Sequence, residues 1–130
     1  MIDYVGLGDA RAILRRYGWS LREPGLLDQS LRRPRASMYG TELYPGLLPK
    51  AAALMDSVNR LHPLVDGNKR LSWILVLRFL DLNGLTLEAT DDDAERFVLT
   101  VAGEHLPLED IAGWFADHVV TPGGGSSRRR

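Results

Sequence analysis

The 130-residue sequence contains no cysteine, so it has neither a disulfide framework nor a thiolate for nucleophilic or metal chemistry. That absence suits a reducing compartment, and a cytoplasmic location is expected. Lysine is almost absent too: Lys50 and Lys69 are the only two, and every other cation is arginine. Neither sign of charge dominates. The formal net charge is −1, which excludes a whole-molecule field that would gather nucleic acid or an acidic membrane. No apolar run approaches the roughly 20 residues that cross a bilayer, and the first residues lack the basic-then-apolar pattern of a signal peptide. There is no internal repeat. What remains is a chain long enough for one compact domain with a sizeable core, expected over residues 1–120.

The chemistry gathers in His62-Pro63-Leu64-Val65-Asp66-Gly67-Asn68-Lys69-Arg70. A base, a carboxylate, an amide and two cations stand together there. Directly behind them runs Leu71 to Leu82, interrupted only by Ser72, Arg78 and Asp81. Polar groups therefore sit at the mouth of a helix that buries itself. Asn68 is a favoured N-cap type, so the helix is expected to start at Lys69 with free N–H groups in its first turn. Such a terminus attracts anions through those donors and the helix dipole. Two cations in that turn oppose the dipole unless an anion arrives between them. The pattern reads as a phosphate site.

Taken in order, Gly8 to Tyr17 reads as a helix stopped by Gly18. Pro24 can occupy the first turn of a second helix whose apolar face is Leu26, Leu27 and Leu31, and Pro34 ends it. Residues 35–46 hold two tyrosines, two glycines and a proline, a loop or small hairpin. Leu47, Leu48, Ala51, Leu54, Met55, Val58 and Leu61 recur at helical spacing. Pro63 then disfavours helical geometry at His62, leaving its ring near a helix C-terminus. The next helix, Lys69 to about Asn83, is apolar on nearly every face and is expected at the centre of the bundle. Asn83-Gly84 suits a left-handed cap. Leu85 to Ala89 reads as an extended link. Asp91, Asp92, Asp93 and Glu95 favour a helix start, and a last helix runs from about Leu108 to His118 with Ile111, Trp114 and Phe115 inward. Residues 121–130, PGGGSSRRR after Thr121, form an expected disordered tail. The fold class is all-α, with at most a minor β-hairpin.

The nine-residue stretch resembles the core motif of the Fic/Doc superfamily, and more closely its Doc (death-on-curing) branch, the toxins of Phd-Doc toxin–antitoxin systems. Glu23-Pro24-Gly25-Leu26-Leu27-Asp28-Gln29-Ser30-Leu31 and Leu80-Asp81-Leu82-Asn83-Gly84 resemble flanking stretches of Doc-like proteins, so the likeness runs from about Arg22 to Trp114. The resemblance implies a Fic-like helical bundle and assigns roles. His62 is the base toward a target hydroxyl, and Asp66 holds Mg²⁺. Gly67 and Asn68 line the phosphate loop, with Lys69 and Arg70 on the nucleotide phosphates. Fic enzymes carry glycine at the Lys69 position and transfer AMP. Doc-type members carry lysine, bind ATP the other way round and transfer its terminal phosphate to a protein Ser/Thr hydroxyl. A translation elongation factor is the known substrate class, and a small antitoxin whose C-terminal segment folds onto the toxin holds it inactive. Met38, Tyr39 and Tyr44 are expected in a mobile loop near the site that could offer a groove for such a helix.

Two positions depart from the pattern. Leu64 replaces the usual phenylalanine, and Trp73 stands where Fic enzymes carry a second arginine. Thr100-Val-Ala-Gly-Glu104 has the ends of the inhibitory element of self-inhibited Fic proteins, a coincidence of spacing; inhibition is expected from a separate partner. The chemistry supports the kinase reading on its own terms. Phosphoryl transfer asks for positioning and charge stabilisation, Mg²⁺ needs one or two carboxylates beside substrate phosphates, and a neutral imidazole accepts a hydroxyl proton near pH 7. The alternatives are AMP transfer and a non-enzymatic module that docks a phosphate or a partner helix. Each residue alone has an ordinary structural explanation: a helix C-cap for His62, a turn for Asp66-Gly67-Asn68, a solvated first turn for Lys69-Arg70. Their coincidence does not. Trp73, Trp114, Phe97 and Phe115 are expected in the core, His105 and His118 at the surface.

Overall fold

The computed structural model describes residues 1–120, so the expected tail lies outside the described residues. Helix α1, Leu7–Tyr17, stops at Gly18, whose φ of +70° makes the left-handed cap. Helix α2, Pro24–Arg32, keeps Pro24 in its first turn, where a missing N–H has no consequence. A 3₁₀ turn over Arg33–Arg35 then contains Pro34 and ends the helical run. Strands β1, Ser37–Met38, and β2, Thr41–Glu42, pair antiparallel around Tyr39 and Gly40, both at positive φ. This is the expected small hairpin.

Helices α3, Leu47–Leu61, and α4, Asn68–Leu82, follow, joined by the motif loop. Helix α5, Asp91–Glu104, begins at Thr90, whose Oγ1 accepts from the Asp93 N–H at 3.1 Å. Helix α6 spans Leu108–His118. The extended link becomes β3, Thr86–Leu87, paired antiparallel with β4, Val119–Val120, so that Thr86 faces Val120. That second strand pair was not anticipated, because its partners are separated by two whole helices and leave no local signal. Apolar side chains of all six helices meet in one core. Among the described residues no helix is long and apolar enough to cross a membrane.

Two expectations are corrected. The most enclosed helix is α3, in which every residue from Lys50 to Asn59 is buried, whereas α4 buries one broad face and leaves Lys69, Arg70 and Asp81 exposed. The buried polar residues of α3 each have a partner inside. Lys50, fully buried, donates to Glu42 and to the Tyr44 carbonyl. Asp56 lies between Arg33 and Arg60, and Asn59 donates to Ser72 Oγ at 2.9 Å. Buried polar groups are tolerated when so satisfied. The second correction is the start of α4. Gly67, not Asn68, is the capping residue, because the Asn68 side chain is used elsewhere. Its role belongs to the site.

Candidate active site

Helix α3 ends at His62, which takes φ +53° and donates its N–H to the Val58 carbonyl at 3.1 Å. Pro63 bars the right-handed helical conformation there, so the chain reverses through a left-handed residue, a region histidine tolerates better than most side chains. Leu64 is 1% exposed and anchors the loop in the core; leucine therefore keeps the packing function of the bulkier aromatic. The Asn68 amide then closes the loop on itself. Its Oδ1 accepts from the Leu64 N–H at 2.8 Å and its Nδ2 donates to the Leu64 carbonyl at 3.1 Å. Gly67 completes the turn at φ +99°, and a Cβ there would lie 2.8 Å from the Trp19 ring. Conformation and space both demand glycine.

The first bond of α4 runs from the Leu71 N–H to the Gly67 carbonyl. The amides of Asn68, Lys69 and Arg70 consequently have no backbone acceptor among the described residues, an arrangement that favours an anion. All three residues line an open cleft of about 700 Å³, and so do His62, Asp66 and Gly67. Every site residue singled out in the sequence thus meets in one place. Asp66 is exposed, its Oδ1 accepts from the Gly67 N–H at 3.0 Å, and its Oδ2 has no partner among the described residues. A lone free carboxylate beside amides without a backbone acceptor has the donor set that suits Mg²⁺, an ion that draws its other ligands from phosphates and water. It does not fit a metal caged by protein, and no cluster of three or more acidic or imidazole ligands occurs among the described residues.

Sequence reasoning missed several contributors. Asn59 lines the cleft floor and, through Ser72, reaches the Lys69 carbonyl, to which Ser72 Oγ donates at 2.6 Å. This buried chain fixes the first turn of α4 against α3. Arg22 donates from Nε to the His62 carbonyl and from Nη2 to the Leu61 carbonyl, both at 2.8 Å. A cation at these orphan carbonyls also opposes the negative end of the α3 dipole. Leu99, Ala102 and Gly103 of α5 form a further wall. The only signal available was position: Asn59 interrupts an apolar helix three residues before His62.

A model of the Fic/DOC family matches residues 7–80, more than half of the chain. The chain belongs to the Fic/DOC family. It is 45% identical over 98 residues to a protein named Toxin Doc from Mycolicibacterium smegmatis (strain ATCC 700084 / mc(2)155), which covers 74% of this chain and 75% of that protein. No solved structure gives a significant match. The family match begins in α1, upstream of the resemblance noted at Arg22, and ends within α4. It therefore contains the whole motif loop, all of α3 and most of α4.

Some residues named beforehand lie off the Fic/DOC cleft. Thr100 donates to the Arg96 carbonyl of its own helix, and neither it nor Glu104 lines the cleft. Trp73 is half-buried, edge-on to Trp114 at 6.0 Å, so an apolar contact occupies that position. Phe97 and Phe115 are buried as expected, but His118 is not a plain surface residue: its ring stacks on Trp114 at 3.7 Å. Met38 and Tyr39 are exposed on the hairpin, whereas Tyr44 turns inward and accepts from Arg33 Nε at 2.9 Å. None of the three lines the cleft. The reason is where the hairpin is tied: Lys50 holds it about 18 Å along the α3 axis from His62.

Proposed function

We propose that this chain is a Doc-like toxin that transfers the γ-phosphate of Mg·ATP to a Ser or Thr hydroxyl of a protein target in the cytoplasm. A translation elongation factor is the target class that the family resemblance favours, with arrest of translation as the consequence. The observation that carries the reading is the shared cleft: His62, Asp66, Lys69 and Arg70 surround three free amides at the start of α4. Lysine rather than glycine at position 69, with Trp73 in place of a second arginine, favours phosphate over AMP transfer.

The chain's own groups divide the work. The amides of Asn68, Lys69 and Arg70 seat the phosphate tail, and the two cations stabilise charge on the transferred group. Arginine adds a two-pronged geometry. His62 takes the hydroxyl proton as the hydroxyl oxygen bonds to the γ-phosphorus. The bond from that phosphorus to the bridging oxygen breaks, and ADP leaves. Mg²⁺ held by Asp66 would supply neutralisation of the phosphate oxygens. Incubation with cell extract, Mg²⁺ and γ-labelled ATP should mark a protein, while α-labelled ATP should not. Lys69→Ala should lower the γ-label by at least about 100-fold, as removal of a transition-state donor does. Transfer of the α-label instead would establish AMP transfer.

The expected partner is a Phd-like antitoxin whose C-terminal segment folds into a helix on the toxin. Exposed Met38 and Tyr39 are apolar contacts available to such a helix. Titration with a candidate antitoxin peptide should give a stable complex that Tyr39→Ser weakens by about tenfold or more, the loss expected of an aromatic anchor. Undiminished binding would place the docking surface elsewhere.

A further inference from the structure

The segment between α1 and α2 runs antiparallel to the motif loop and touches it residue by residue. Arg22 donates its N–H to the Pro63 carbonyl at 2.7 Å, Leu21 bridges Leu64, and the Val65 N–H donates to the Ser20 carbonyl at 3.0 Å. Trp19 then abuts Gly67. At the end of this register, the Arg70 guanidinium carbon lies 5.2 Å from the centre of the Tyr17 ring. Tyr17 in turn stacks on Trp19, with ring centres 4.7 Å apart and planes inclined by 15°. Arg70 has no hydrogen bond or ion pair among the described residues.

A guanidinium that rests against an aromatic ring and makes no hydrogen bond or ion pair among the described residues keeps its N–H groups free. A carboxylate partner would occupy those donors; an aromatic ring does not. The ring therefore limits where Arg70 can go without competing for what it binds. We propose that Tyr17, braced by Trp19, is a positioning residue that presents Arg70 to the phosphate tail of the nucleotide. This rests on the phosphate-transfer reading above and adds to it the end of α1 and the linker that follows, both outside the motif.

Calorimetric titration of the full-length chain with Mg·ATP tests it, with circular dichroism melting to confirm that each variant folds. Tyr17→Phe keeps the ring and should bind within about twofold of the parent. Tyr17→Leu should weaken binding by about two- to fivefold, the range of an exposed cation–π contact, and Trp19→Leu by at least as much. In an Arg70→Ala background Tyr17→Leu should add nothing, which a merely structural role would not produce. If the parent binds Mg·ATP but either leucine variant binds equally well, the positioning role fails alone. It also fails alone if Tyr17→Leu costs as much without Arg70 as with it. If the parent does not bind Mg·ATP, the phosphate reading and this inference fall together.

Discussion

Replacing His62 by asparagine should lower phosphate transfer by about 10²- to 10⁴-fold, the range for loss of a general base, while leaving nucleotide affinity within about threefold. Asparagine is the informative choice because position 62 sits at φ +53°. Asparagine adopts that left-handed conformation readily, whereas alanine would add backbone strain to the loss of the ring. The Val58 and Arg22 bonds at this position involve main-chain atoms of His62, so they survive the substitution. An amide cannot take up the hydroxyl proton. The checks are γ-label transfer, calorimetry with Mg·ATP and growth of cells expressing the variant. Full toxicity in His62→Asn would leave only the non-enzymatic docking reading; lost transfer with intact nucleotide binding separates chemistry from fold.

The largest stability effect should come from Asp56→Ala, at about 2–3 kcal/mol measured by urea unfolding. Removing one partner of a fully buried ion pair costs more, about 3–5 kcal/mol, and the partial exposure of both arginines here reduces it. The Asp56 side chain is 5% exposed, and it accepts from Arg33 Nη1 at 2.7 Å and from Arg60 Nε at 2.9 Å. Burial opposes the charge on Arg33. The hydrogen bonds to Asp56 and Tyr44, with the attraction of both groups, outweigh it and hold the Arg33 pKa above the ordinary arginine value. Without Asp56 the desolvation remains and its main compensation is gone. Arg60→Ala should cost only about 0.5–1 kcal/mol, since its side chain is half exposed. A parental urea midpoint for Asp56→Ala would show that the carboxylate is not what holds the 3₁₀ turn to α3. Because α3 ends at His62, the same variant should also lower transfer modestly.

Local physics made most of the helices legible. Gly18, Pro24, Pro34 and the acidic run at 91–95 each act within one helical turn, so their meaning is written beside them. The motif loop was legible for a similar reason: His62 to Arg70 are neighbours in the chain, and a cap and a helix start must place them close together. The centre of the bundle was not. A helix with Lys50, Asp56 and Asn59 looks amphipathic until Glu42, Arg33 and Ser72 are found inside with it.

By itself, then, the sequence determined an all-α bundle, the two helices that meet at residues 62–70, and the gathering of a base, a carboxylate and two cations at the start of the second. Those follow from periodicity, capping and the restriction proline imposes on its predecessor, all of which act over a few residues. Only the tertiary structure decided which helix is innermost, that Asn68 closes the loop rather than capping α4, and that Tyr17, Trp19 and Arg22 stand behind the cleft. The contacts of Tyr17, Trp19 and Arg22 with the motif loop span about forty residues or more and carry no period and no local preference. They exist only once burial has brought the segments together.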